Sequence, residues 1–140
     1  MIKKLLAVTA VAFLLGACEE PAPPPPPPPP PVHNFLVFFD FDKSTLTPRA
    51  MDIVKEAAKI AKTGENTRVT CTGHTDTAGS AAYNMALSLR RANSVKDALV
   101  REGVDAKTIT VIGRGEEELL VPTKDQVREP QNRRVEIVIK

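Results

Sequence analysis

Aromatic residues are scarce in this chain of 140, with no tryptophan, one tyrosine and five phenylalanines. Four of those six, Phe35, Phe38, Phe39 and Phe41, crowd into one short stretch. Stacking along a single strand of nucleic acid needs aromatics spread over a basic face, so that class is excluded. A charge excess is missing as well. The 19 basic and 17 acidic residues leave +2, and removal of Lys3 and Lys4 with the leader described below leaves 17 of each. A neutral chain has no long-range attraction for nucleic acid or for an anionic membrane. Cysteine is limited to Cys18 and Cys71. Cys71 and His74 lie three apart in an extended stretch and face opposite ways, which excludes a nucleophile–base pair or a shared zinc there. Gly113-Arg114-Gly115 lacks the further glycines and the lysine of a phosphate loop, and there is no Gly-x-Ser-x-Gly elbow. No catalysis, cofactor or metal is expected.

Apolar runs of membrane-spanning length are also absent. Residues 5–15 are uncharged and almost wholly apolar, behind the positive pair Lys3 and Lys4, which is the pattern of a secretion signal. A helix over residues 5–17 would reach only ~20 Å against a hydrocarbon core of about 30 Å, so it cannot span. The segment closes on Leu15-Gly16-Ala17-Cys18, which resembles the lipobox of bacterial lipoproteins. That resemblance implies a signal peptide over residues 1–17 and lipidation of Cys18 as the first mature residue. Two or more acyl chains anchor stably, where one does not. The next residue is Glu19, not the aspartate often used for inner-membrane retention, which points to the outer membrane. Acylation of Cys18 leaves Cys71 alone, a small buried residue with no disulfide partner.

What the chain does have is proline, badly distributed. Ten of its 13 prolines fall within residues 21–31, interrupted only by Ala22. With φ fixed and no N–H to donate, this run is a polyproline II rod of roughly 34 Å at ~3.1 Å per residue. It reads as a spacer within a linker over residues 18–33, followed by one domain over residues 34–140.

The domain alternates strands and helices. Residues 35–41 form an apolar strand. Thr47-Pro48 supplies an N-cap and a proline at the first helical position, and Met51, Val54, Ala58 and Ala61 then repeat at helical spacing until Gly64. Residues 68–74 alternate, with Val69, Cys71 and Gly73 on one side. A long helix over residues 80–102 carries the stripe Ala82, Met85, Leu89, Ala92, Val95 and Leu99, and Gly103 ends it. Strands at 108–112 and 134–140 follow, the last with Val135, Ile137 and Ile139 on one face. The expected class is α+β, an α/β sandwich of order β-α-β-α-β-β with two helices packed on a mixed sheet and a helical turn before the last strand. Asn84, Ser88 and Arg91 fall on one face of the long helix apart from its apolar stripe, which pattern alone reads either as a solvated face or as a site.

Three groups of residues carry a resemblance across nearly the whole domain. These are Phe39-Asp40-Phe41-Asp42-Lys43-Ser44, then Gly73-His74-Thr75-Asp76 with Tyr83-Asn84 and Leu87-Ser88-Leu89-Arg90-Arg91-Ala92, and finally Asn132-Arg133-Arg134-Val135-Glu136-Ile137. Together they resemble the OmpA-like peptidoglycan-binding domain, a family that includes peptidoglycan-associated lipoproteins and flagellar stator proteins. The resemblance implies binding of the wall's stem peptide through meso-diaminopimelate. It assigns Asp76 to the ligand ammonium and Arg91 to its carboxylate, with Asp42, Thr75, Asn84 and Arg134 in support, the two charged groups acting as ligand contacts dispensable for folding. It also implies an outer-membrane lipoprotein tethered to the cell wall. The alternative is an adaptor that docks a Tol-like periplasmic complex and uses the wall only for localisation. One departure stands out in residues 116–130, where Thr123 follows Pro122 in place of a frequent asparagine. This departure implies a loop built differently beside an unaltered pocket.

Overall fold

The computed structural model describes residues 10–12 and 16–140, so most of the expected signal peptide lies outside the described residues. Among the described residues no helix is long and apolar enough to cross a membrane. Residues 16–32 have no regular hydrogen-bonded structure, and β1 begins directly after them at His33–Phe38. Then come α1 (Pro48–Thr63), β2 (Val69–Gly73), α2 (Ala81–Arg101), β3 (Ile109–Gly113) and β4 (Arg134–Ile139). Short 3-10 turns at Ala106–Thr108 and Pro130–Asn132 precede β3 and β4. The order and the helical turn before β4 match the α+β reading.

The sheet runs β1-β4-β2-β3, with β4 antiparallel to both neighbours and β2 parallel to β3. His33, assigned to the linker from sequence, pairs with Ile139 as the first residue of β1. At the other end β1 stops at Phe38, three residues before the expected strand, because β4 begins opposite it at Arg134. Phe39 still donates to the Arg133 carbonyl, and the chain then turns away.

Both helices cover one face of the sheet, α1 over β1 and β4, α2 over β2 and β3. Thr47 caps α1 through its side chain, which accepts from the Ala50 N–H. Ala50, Val54, Ala57, Ala58 and Ala61 face inward. They meet Val69 and Cys71 of β2 and Val135, Ile137 and Ile139 of β4 in one core. At the end of α2, Gly103 takes φ +99°, donates to the Val100 carbonyl, and sends Val104 back to bond the Leu99 carbonyl. Glycine there supplies the left-handed turn of a Schellman motif.

The first half of α2 departs from its expected stripe. Ala82 and Leu89 are exposed, while Asn84, Ser88 and Arg91 are completely covered. The helix also lies very close to the sheet at this point. A Cβ on Gly73 would sit 1.9 Å from the Ser88 carbonyl oxygen, so only glycine lets the helix and β2 approach. The connections after β1 and β2 and the loop leading into β4 all gather at this end of the sheet, around the polar half of α2.

Candidate functional site

Those segments enclose a cavity of about 320 Å³. Its walls include Phe41 and Asp42 from the β1–α1 loop, Asp76, Ala78 and Gly79 from the β2–α2 turn, Asn84 and Arg91 from α2, and Arg133 from the entry to β4. Two carboxylates and two guanidiniums therefore face one space with no net charge.

Arg91 is fully buried, and the reason lies in backbone carbonyls rather than in an acid. Its Nε donates to the Lys43 carbonyl at 2.8 Å, Nη1 to His74 at 3.0 Å and Nη2 to Asp40 at 3.2 Å. The side chain thus ties the β1–α1 loop to the end of β2, with its guanidinium 5.4 Å from the Phe39 ring centroid. Burial pulls its pKa down to about 10, with Asp76 acting the other way, so it stays charged at neutral pH. An arginine has five N–H donors, and these three bonds use three of them.

Asp76 is held by the turn it belongs to. Oδ1 accepts from the Ala78 N–H at 3.1 Å, and Oδ2 pairs with Arg133 Nη1 at 3.3 Å. Asn84 donates to the carbonyls of Asp76 and Ala78, so α2 fixes the shape of that turn. Asp42, at φ +57°, accepts a hydrogen bond from the Tyr83 hydroxyl, and this bond raises the Tyr83 pKa above its ordinary value.

The family model described as the OmpA family matches residues 38–133. The chain belongs to the OmpA family. An outer membrane protein of Gluconacetobacter diazotrophicus is 49% identical over 111 residues, covering 75% of this chain and 29% of the relative. A peptidoglycan-associated lipoprotein of Legionella pneumophila is 40% identical over 106 residues, covering 76% of this chain and 60% of the relative. The chain thus spans less than two thirds of these relatives' lengths. The solved peptidoglycan-associated lipoprotein of Burkholderia pseudomallei superposes with a TM-score of 0.70 at 28% identity, over 75% of this chain and 89% of that one.

Within this OmpA-family domain, Asp42, Asp76, Asn84 and Arg91 share the cavity, while Thr75 and Arg134 do not line it. Thr75 is buried beneath the turn, its hydroxyl donating to the Asp76 carbonyl and its N–H to that of Gly115. Arg134 instead pairs with Glu136 at 3.0 Å on the sheet face away from the helices. The second guanidinium in the cavity, beside that of Arg91, belongs to its neighbour Arg133, which the motif resemblance does not assign. The doublet Arg133-Arg134 was the available signal, but reversal of direction between successive residues made the choice ambiguous. Cys71, pushed up to about 12 by burial, is an inert core thiol. Among the described residues no group of three or more His, Cys, Asp or Glu side chains could hold a metal ion.

His74 is completely covered, and neither of its ring nitrogens has a hydrogen-bond partner. Burial and then Arg134 depress its pKa, with Glu136 and Glu118 opposing them. The folded domain therefore holds the ring neutral while the unfolded chain protonates it near the ordinary value of about 6.5. The stability this provides is complete above that value and is lost as pH falls toward the depressed folded pKa. Between pH 7 and 5.5, His74 should account for up to about 1 kcal/mol of acid destabilisation in urea unfolding. His74→Gln should flatten that part of the profile, and an unchanged profile would contradict the assignment.

Proposed function

We propose that this chain is an outer-membrane lipoprotein, lipidated at Cys18, whose periplasmic domain binds peptidoglycan non-covalently and so ties the membrane to the cell wall. One observation carries this reading. The cavity presents paired anionic and cationic groups to a space of about 320 Å³, which suits a small zwitterion. The side-chain end of meso-diaminopimelate is such a group, an ammonium and a carboxylate on one carbon. In this reading Asp76 takes the ammonium, and the remaining donors of Arg91, joined by Arg133, take the carboxylate. Asp42 and Asn84 shape the walls, with Thr75 supporting the turn from beneath and Arg134 outside the lining. The Legionella and Burkholderia relatives are peptidoglycan-associated lipoproteins by name, which supports the same ligand and the same anchorage. The proline run gives the domain its reach from the membrane surface.

The adaptor reading draws on Leu36 and Phe38, both exposed on the outer face of the edge strand β1, as an apolar surface for a Tol-like periplasmic protein. The two roles are separable. Purified diaminopimelate-type sacculi should carry the mature chain into the pellet on centrifugation. Full recovery in the supernatant would contradict wall binding and leave the adaptor role standing.

A further inference from the structure

The loop between β3 and β4, expected to lie beside the pocket without affecting it, touches three of the pocket's walls. At its start Glu116 Oε2 accepts from Asn84 Nδ2 at 3.2 Å. In its middle, Gln126 grips Gly79 in both directions. Its Oε1 accepts the Gly79 N–H and its Nε2 donates to the Gly79 carbonyl, each at 3.1 Å. Further on, the Arg128 guanidinium lies 3.6 Å from the centroid of the Phe41 ring. The loop thereby reaches α2, the β2–α2 turn and the β1–α1 loop, each of which contributes lining residues.

The loop is itself held down. Thr77, almost completely buried, donates through its hydroxyl to the Lys124 carbonyl at 2.7 Å and accepts from the Val127 N–H at 3.0 Å. The Thr77 carbonyl accepts from the Gln126 N–H. Thr123, the residue that departs from the family pattern, lies within 3.1 Å of the same hydroxyl. Buried Asn132 bonds both the N–H and the carbonyl of Val121 at 2.8 Å. Gln126 adopts φ +62°, a left-handed backbone uncommon outside glycine, while Gly79 takes φ +92° at little cost.

We propose that residues 116–130 form a clasp that holds the walls of the pocket in register, with Gln126 as its positioning residue. Gln126 does not line the cavity, so its effect on a ligand is exerted through Gly79. The inference rests on the proposed function for its ligand, but not for its mechanics. Displacing a wall by about 1 Å costs a recognition site far more than the lost contact itself.

The test uses the mature chain, Gln126→Ala, and Gln126→Glu, which keeps the acceptor for the Gly79 N–H but loses the donor. Amide hydrogen exchange at Gly79, the thermal midpoint, and calorimetry with a diaminopimelate stem peptide are read together. Gln126→Ala should speed exchange at Gly79 and weaken the peptide by about 10-fold through the loosened wall, with little change in midpoint because both lost bonds lie at the exposed surface. Gln126→Glu should recover part of both. Unchanged exchange at Gly79 overturns the clasp, as does a midpoint that falls in step with affinity. If the wild-type chain takes no peptide while Gln126→Ala still frees Gly79, the proposed function fails and the clasp stands.

Discussion

Arg91→Ala should unfold the domain far more easily and should also remove ligand binding. Three carbonyls, the buried one of His74 and the part-buried ones of Lys43 and Asp40, would lose their donor together. Each orphaned acceptor costs roughly 1–3 kcal/mol, reduced where water can enter from the pocket. A total on the order of 3–5 kcal/mol lowers the midpoint of a domain this size by more than about 10 °C. Arg91→Lys keeps the charge but replaces a planar fork with a single point, so it should restore less than half of that loss. Thermal unfolding followed by circular dichroism reads the effect directly. A midpoint near wild type in Arg91→Ala would mean that the buried fork does not hold the loop to β2. This revises the sequence-based expectation that Arg91 is a ligand contact dispensable for folding.

Asp76→Asn should do nearly the opposite, with binding lost and the fold kept. Asparagine preserves the Oδ1 that accepts from the Ala78 N–H, so the turn stays capped. What disappears is the negative charge facing Arg133 and, in the proposed function, the ligand ammonium. The Asp76–Arg133 pair lines the cavity, with Arg133 13% exposed, and its loss should cost the fold about 1–2 kcal/mol, well short of Arg91→Ala. Removing the anion from a charged hydrogen bond to the ligand costs roughly 1.5–3 kcal/mol, or about 10- to 100-fold in affinity. Sacculus co-sedimentation and a melting curve on the same preparation separate the two effects. Binding retained in Asp76→Asn would move the ammonium site elsewhere in the pocket.

The two arginines show where sequence reading succeeded and where it stopped. Periodicity and caps placed α1, β2, the second half of α2 and β4, because apolar packing decides those segments. Thr47-Pro48, Gly103 and the alternation of Val135, Ile137 and Ile139 are local signals with local causes. In the first half of α2 the rule inverts. The helix there packs against carbonyls of His74, Asp40, Lys43, Asp76 and Ala78, and only polar side chains satisfy them. Apolar periodicity therefore pointed to Ala82 and Leu89 as inward residues, although both face solvent. The motif resemblance recovered Asn84 and Arg91, because it matches residue identities without assuming which side of the helix is dry. It assigned the supporting role to Arg134, whereas Arg133 is the residue of that doublet that lines the cavity. It also gave no view of Gln126 and Thr77, whose bonds here join residues 47 positions apart in the chain.

The central claim is that the cavity recognises the zwitterionic end of diaminopimelate. Diaminopimelate and lysine differ at the side-chain end by one carboxylate, the group assigned to Arg91 and Arg133. The decisive measurement is calorimetric titration of the mature chain with two stem peptides that differ only in that residue. The diaminopimelate peptide should bind about 10- to 100-fold more tightly, toward the lower end where solvent screens the pocket. Equal affinity for the two peptides would contradict the assignment of a carboxylate to these guanidiniums.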